Sequence, residues 1–133
     1  MKIVLDTNVL IAASISRGVC HKLVEYCVVE HTIVTSDFIL SEWREKLLTK
    51  FGRTPSIVDR IIEAFSSQIL LVVPEVAVGA VERDPDDDNV VGTAVAGNCD
   101  LIITGDRDLL DLKRFGQIVI MAPREFLDSQ EVT

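Results

Sequence analysis

Four acidic residues, Asp6, Glu42, Asp88 and Asp106, each stand where an apolar segment gives way to a polar turn or a helix begins. Carboxylates at such positions can cap helices, pair with lysines or hold a hard cation through oxygen. Singly, each has an ordinary use. Asp6 could cap a helix starting at Thr7, and Glu42 stands in the favourable i,i+4 order before Lys46. Asp86, Asp87 and Asp88 suit the positive end of a helix, and Asp106 after Gly105 suits an Asx turn. Together they would repel one another and raise each other's pKa unless a cation sat among them. An all-oxygen set suits Mg²⁺ or Mn²⁺, and Mg²⁺ keeps waters in its shell that can meet a phosphate. Zinc is not indicated: His21 and His31 lack paired ligand spacing, and Cys20, Cys27 and Cys99 contain no CxxC.

The elements that must position these acids alternate in type. Ile3-Val4-Leu5 is a short β-branched run ending at Asp6-Thr7-Asn8, and a helix follows to Ala13. After the break at Ser16-Arg17-Gly18, a helix over 19–29 places Val19, Leu23 and Cys27 on one face. Thr32 to Thr35 forms a second strand, and Ser36 or Asp37 caps a helix carrying Glu42, with Phe38, Leu40, Trp43, Leu47 and Phe51 at near-helical spacing up to Gly52. Pro55 or Ser56 opens another helix, lined by Ile57, Ile61, Ile62 and Phe65, before a buried third strand over 69–73. Val76 to Arg83 leads to the acidic turn Asp84-Pro85-Asp86-Asp87-Asp88, and the small apolar residues from Val90 to Ala96 form a helix packed tightly on a sheet. Leu101-Ile102-Ile103 is a fourth strand ending at Thr104-Gly105-Asp106, Ile118-Val119-Ile120 a fifth, and Pro123 to Leu127 a closing helix. Short, continuously apolar strands alternating with helices predict an α/β fold: a doubly wound parallel sheet covered on both faces. Ligands bind such sheets at the carboxyl ends of the strands. Asp6 and Asp106 follow strands, Asp88 opens the helix leading to the fourth strand, and Glu42 lies in the helix after the second.

Composition narrows the function. A chain of 133 residues, 48% hydrophobic and 26% charged, suits a single domain over 1–133 that buries a core of its own. A formal net charge of -8 excludes a protein that coats nucleic acid non-specifically, since that binding depends on many basic contacts to phosphate. The odd cysteine count fits a reducing compartment, with Cys20 and Cys27 packing as small hydrophobes. No leader or membrane-spanning run is expected, so the reading is cytoplasmic.

Four motifs in order carry a resemblance. Ile3-Val4-Leu5-Asp6-Thr7-Asn8-Val9-Leu10, Ser41-Glu42, the Asp84 to Asp88 turn with its small helix, and Leu101-Ile102-Ile103-Thr104-Gly105-Asp106-Arg107-Asp108-Leu109 resemble the PIN domain. Within that family they resemble the prokaryotic, VapC-like group of toxins from toxin–antitoxin pairs. The likeness covers nearly the whole chain. It implies a three-layer α/β/α fold with a five-stranded parallel sheet of order 3-2-1-4-5. It also implies a ribonuclease that uses Mg²⁺ or Mn²⁺ to hydrolyse phosphodiester bonds of single-stranded RNA. Asp6, Glu42, Asp88 and Asp106 would be the catalytic and metal-site acids, with Asp88 preferred to Asp87 because its separation from Asp106 matches the family. Thr7, Asn8, Thr104, Asp87 and Asp108 would act as outer-shell groups, while Asp84 orders the turn. Arg17, Arg107, Lys113 and Arg114 are the candidate phosphate contacts. The resemblance further suggests a homodimer and a co-expressed antitoxin, for which Phe38 or Trp43 would offer apolar surface, although their helical spacing favours core packing.

Two rivals remain. A PIN fold serving only as a binding module would not need to concentrate unpaired negative charge. A phosphoacceptor receiver domain would show an acidic pair after its first strand and a Lys near the end of the fifth, whereas Leu5-Asp6-Thr7 has one acid and Met121-Ala122-Pro123 has no Lys.

Overall fold

A computed structural model describes residues 1–75 and 85–130, with the side chains of 85–87 excepted. The elements run β1 (Lys2–Leu5), α1 (Thr7–Ile15), α2 (Val19–Glu30), β2 (Thr32–Ser36), α3 (Asp37–Thr49), α4 (Pro55–Ser66) and β3 (Ile69–Val72). They continue as α5 (Pro85–Ala96), β4 (Leu101–Ile103), α6 (Arg107–Leu112), β5 (Arg114–Phe115), β6 (Ile118–Met121) and α7 (Pro123–Ser129). The strands form one sheet of order β3-β2-β1-β4-β6-β5. All neighbours are parallel except β5 and β6, which are antiparallel.

The expected order 3-2-1-4-5 is therefore present as β3-β2-β1-β4-β6, and a two-residue strand extends it beyond β6. Connections from β1 leftward to β2 and β3, then back across to β4, are right-handed only if the helices of the two directions cover opposite faces. Accordingly α5 packs on β1, β2 and β4 from one side, and α2 and α3 pack on β2 from the other.

The core follows the helical periodicities. In α3, Ile39, Trp43 and Leu47 are buried, with Phe38 and Leu40 packed partly against them, and the Trp43 indole N–H donates to Ser14 Oγ at 3.1 Å. Trp43 thus belongs to the interior and not to an open surface. Leu23 and Cys27 are the buried face of α2. The Ser36 side chain caps α3, and Thr54 caps α4 just before Pro55 at its first turn.

Two expectations need correction. The buried face of α4 centres on Val58 and Phe65, with Ile57 turned outward, because the helical phase places the core side one residue later than the spacing of isoleucines suggests. The third strand is not buried: Leu70 and Leu71 are both exposed, since β3 is the edge of the sheet and a strand there lacks neighbours on one side. The segment 76–83 and Asp84 lie outside the described residues. Among the described residues, no helix is long and apolar enough to cross a membrane.

Candidate active site

Strand register builds the site. Val4 pairs with Val34 on one side and Ile102 on the other, so these three side chains lie in a row across β2, β1 and β4. Two residues on in each chain, on the same face by alternation, come Ser36, Asp6 and Thr104. This second row sits at the carboxyl end of the sheet, and all three residues are buried.

Asp6 is only 6% exposed. One carboxylate oxygen, Oδ1, accepts the Thr7 amide N–H at 2.7 Å, and Oδ2 accepts the Thr104 hydroxyl at 2.6 Å. The Thr104 oxygen in turn accepts the Asp106 amide N–H at 2.9 Å. Asp106 caps α6, its Oδ1 accepting the Asp108 N–H at 2.8 Å. The Asp6 carboxylate and the Asp106 backbone amide, each just past the end of its strand, are therefore joined through one threonine. Both acids also cap helices, so capping does not exclude a role at the carboxyl end of the sheet.

Burial pushes the Asp6 carboxyl above its ordinary range; its bonds from Thr104 and Thr7 pull it back in part, and the charges of Asp106 and Glu42 push it up again. Glu42 is carried on α3, the helix that Ser36 of the row caps. Glu42 is half-buried, and its Oε1 lies 3.9 Å from Lys46 Nζ. That distance and the lysine's exposure make the pair a weak counterweight.

Whether this set fits a divalent cation can be judged from the donors. Among the described residues, no three His, Cys, Asp or Glu side chains stand close enough together to hold a metal between them. The candidate donors are all oxygen, which is the chemistry of a hard cation such as Mg²⁺ that takes one or two carboxylates and keeps its waters. The buried Thr7 hydroxyl beside Asp6 has no hydrogen-bond partner, nor does Thr35 on β2. An unsatisfied buried hydroxyl next to a buried, mutually repelling carboxylate group fits a hydrated cation.

Other candidates are placed as follows. Asp88 is half-buried in the first turn of α5, the helix that covers the polar row. The side chain of Asp87 lies outside the described residues. Asn8 is exposed in the first turn of α1, and Asp108 is exposed in the first turn of α6. Arg107, also exposed, directly follows Asp106 and stays at the carboxyl end of the sheet. Arg17 lies beyond the far end of α1, about 13 Å from Asp6 along a helix of 9 residues. Arg114 is level with Val119 and hence with Leu101, at the opposite end of β4 from Asp106. Lys113 ends α6 in the left-handed region at φ 63, its carbonyl bonded to the Ile120 N–H. The structure thus keeps one of the four basic candidates, Arg107, beside an acid of the site.

Two buried hydroxyls, Ser36 of the row and Thr93 of α5 above it, were not singled out as site residues from sequence. Ser36 was read only as a cap, and Thr93 on α5 received no role. Their oxygens lie 2.9 Å apart. Extending the Val34–Val4–Ile102 alignment by two residues is the signal that would have found Ser36.

Comparisons with known proteins follow the same lines. The family model of the PIN domain matches residues 2–108. An uncharacterized protein of Methanocaldococcus jannaschii is 32% identical over 146 residues, which cover 98% of this chain and 92% of that protein. Among solved structures, VapBC2 from Rickettsia felis, bound to a DNA fragment from their promoter, aligns at a TM-score of 0.68 with 15% identity, covering 92% of this chain and 98% of that one. VapBC-1 from nontypeable Haemophilus influenzae aligns at 0.66 with 16% identity over 93% and 99% of the two chains. FitAcB from Neisseria gonorrhoeae aligns at 0.58 with 14% identity over 92% and 98%. At such identities these structures share the fold.

Proposed function

The chain belongs to the PIN domain family, and from that premise we propose that it is a Mg²⁺- or Mn²⁺-dependent ribonuclease hydrolysing phosphodiester bonds of single-stranded RNA. The observation that carries the reading is the buried Asp6, tied through Thr104 to Asp106 and repelled by both Asp106 and Glu42. Charge is concentrated there at a cost to the folded protein, and a cation would relieve it.

In this reading Asp6, Glu42, Asp88 and Asp106 hold the ion, directly or through its waters. When bound, the cation supplies Lewis acidity, neutralising phosphate charge and making a water a stronger acid. The chain's own residues set the stage. Thr104 holds the Asp6 carboxylate in one orientation, the Thr7 amide holds its other oxygen, and the α6 backbone fixes Asp106. Asn8 and Asp108 flank the site, and Arg107 is the basic residue placed to meet phosphate. The resemblance to VapC-like toxins extends the proposal to a toxin that forms a homodimer and is held by a co-expressed antitoxin.

The test is cleavage of labelled single-stranded RNA by purified protein with Mg²⁺, with Mn²⁺ and with EDTA, beside Asp6→Asn and Asp88→Asn. Cleavage is expected only with metal, and both variants should lose more than about a hundredfold in rate while remaining folded. Well-folded, metal-loaded protein that cleaves none of a varied RNA set would point to a binding role instead, and undiminished activity in both variants would mean the site lies elsewhere.

A further inference from the structure

We propose that the buried hydroxyl pair Ser36–Thr93 is a positioning joint for the acidic site, setting α5 and its Asp88 against the row that contains Asp6. The inference rests on the cation-site reading above.

Both residues are fully buried at 0% exposure, so each hydroxyl must find its partners within the protein. Thr93 has one proton, and its oxygen lies 2.7 Å from the Asn89 carbonyl, which can only accept. That proton is therefore committed to Asn89, and the 2.9 Å contact is made by the Ser36 proton, since hydroxyl protons rotate to suit. Ser36 Oγ then receives the Ile39 N–H at 3.4 Å. The result is a directional relay: Ile39 N–H to Ser36, Ser36 to Thr93, Thr93 to Asn89.

One end of this relay is the first turn of α3, the helix that carries Glu42. The other is the residue after Asp88 on α5. The middle is the position beside Asp6 in the strand row. Acids on three separate elements are thus referred to one buried joint. An apolar pair of the same shape would fill the space but would strip α3 of its Ser36 cap and break the link from that cap to α5, so filling alone does not account for the hydroxyls. Gly97 reinforces the fit, because a Cβ there would come within 2.7 Å of Val34 Cγ1, and α5 therefore lies close on the sheet just below the relay.

The experiment measures Mn²⁺ affinity of the whole chain by the electron paramagnetic resonance signal of free Mn²⁺, together with thermal stability in EDTA. It uses wild type, Asp6→Asn, Thr93→Val, Thr93→Ser and Ser36→Ala/Thr93→Val. Thr93→Val is expected to weaken Mn²⁺ binding about tenfold, the usual scale for an outer-shell partner, with Thr93→Ser restoring it. The double variant should also bind weakly; it removes both hydroxyls of the pair together with the Ser36 cap of α3, so it should melt below wild type while remaining folded. It carries the measurement should Thr93→Val not fold. Wild-type Mn²⁺ affinity in Thr93→Val or in the double variant overturns the joint while leaving the cation site intact. Wild type that shows no Mn²⁺ binding dependent on Asp6 overturns the cation reading itself, and the joint with it.

Discussion

Asp6 places function and stability in opposition within one side chain. Its carboxyl is held above the usual range of 3.8 chiefly by burial, so the folded state binds its proton more tightly than the unfolded chain does. The contribution of Asp6 therefore favours folding at acid pH and is lost as pH rises through the folded-state value. At neutral pH the ionised group is a net cost. Asp6→Asn should consequently melt higher than wild type in EDTA at pH 7, with the difference closing as pH falls towards 3.8. Added Mg²⁺ should raise the wild-type melting temperature and leave the variant's unchanged. A variant that melts lower than wild type at every pH would show that the bonds from Thr7 and Thr104 outweigh burial. From sequence, Asp6 could be seen either as a cap or as a site acid; the structure shows the cap, buried and bonded to Thr104, and leaves the carboxylate at the carboxyl end of the sheet. Thr93 was illegible because its meaning depends on which strand residue lies beneath it, and helical spacing alone does not reveal that. By contrast, Cys27 and Cys99 behave as their type suggests: burial pushes their thiols up to about 12 and about 11, leaving them neutral core groups.

At the scale of elements, α5 shows how a local rule can be reversed by its neighbours. Glycine inside a helix normally costs about 1 kcal/mol relative to alanine, so replacing it should stabilise. Gly92, however, lies under the chain that leaves β3. Its carbonyl accepts the Glu75 N–H at 3.0 Å, and a Cβ would stand 2.4 Å from the Glu75 carbonyl oxygen. That contact is with backbone and cannot be relieved by a rotamer change. Gly92→Ala is expected to destabilise by about 1–3 kcal/mol in urea unfolding, and a more stable variant would mean that the Glu75 strap yields without cost. The small-residue character of α5 was readable, and so were the order and type of the longer elements. The six-residue α6 and the two-residue β5 were not, because neither is long enough for its pattern to repeat, and repetition is how helices and strands are recognised. The burial assigned to β3 failed for another reason. Its apolar run resembles an interior strand, and only the strand order reveals that it is an edge.

The whole molecule carries a formal net charge of -8, which the proposed cleavage of RNA would have to overcome locally. Of the basic candidates only Arg107 directly adjoins an acid of the site, so few counterions are released on binding. The logarithm of RNA affinity should therefore fall with the logarithm of salt at a slope shallower than about -3, the value for four basic contacts on a single strand. A steeper slope in a fluorescence titration of inactive Asp6→Asn would reveal a basic surface that the present assignment misses. The two ends of the sheet are equally unlike. Beyond β6 the sheet stops at two residues in antiparallel register, too short a template to add much to, whereas β3 presents four residues with Leu70 and Leu71 exposed and, among the described residues, no strand beyond it. In the vocabulary of polymer chemistry the sheet of the described residues is monofunctional: one end presents an edge of four residues and the other is terminated. Strand exchange between copies would end at a capped pair, and fibre growth by repeated addition has no second reactive end from which to continue.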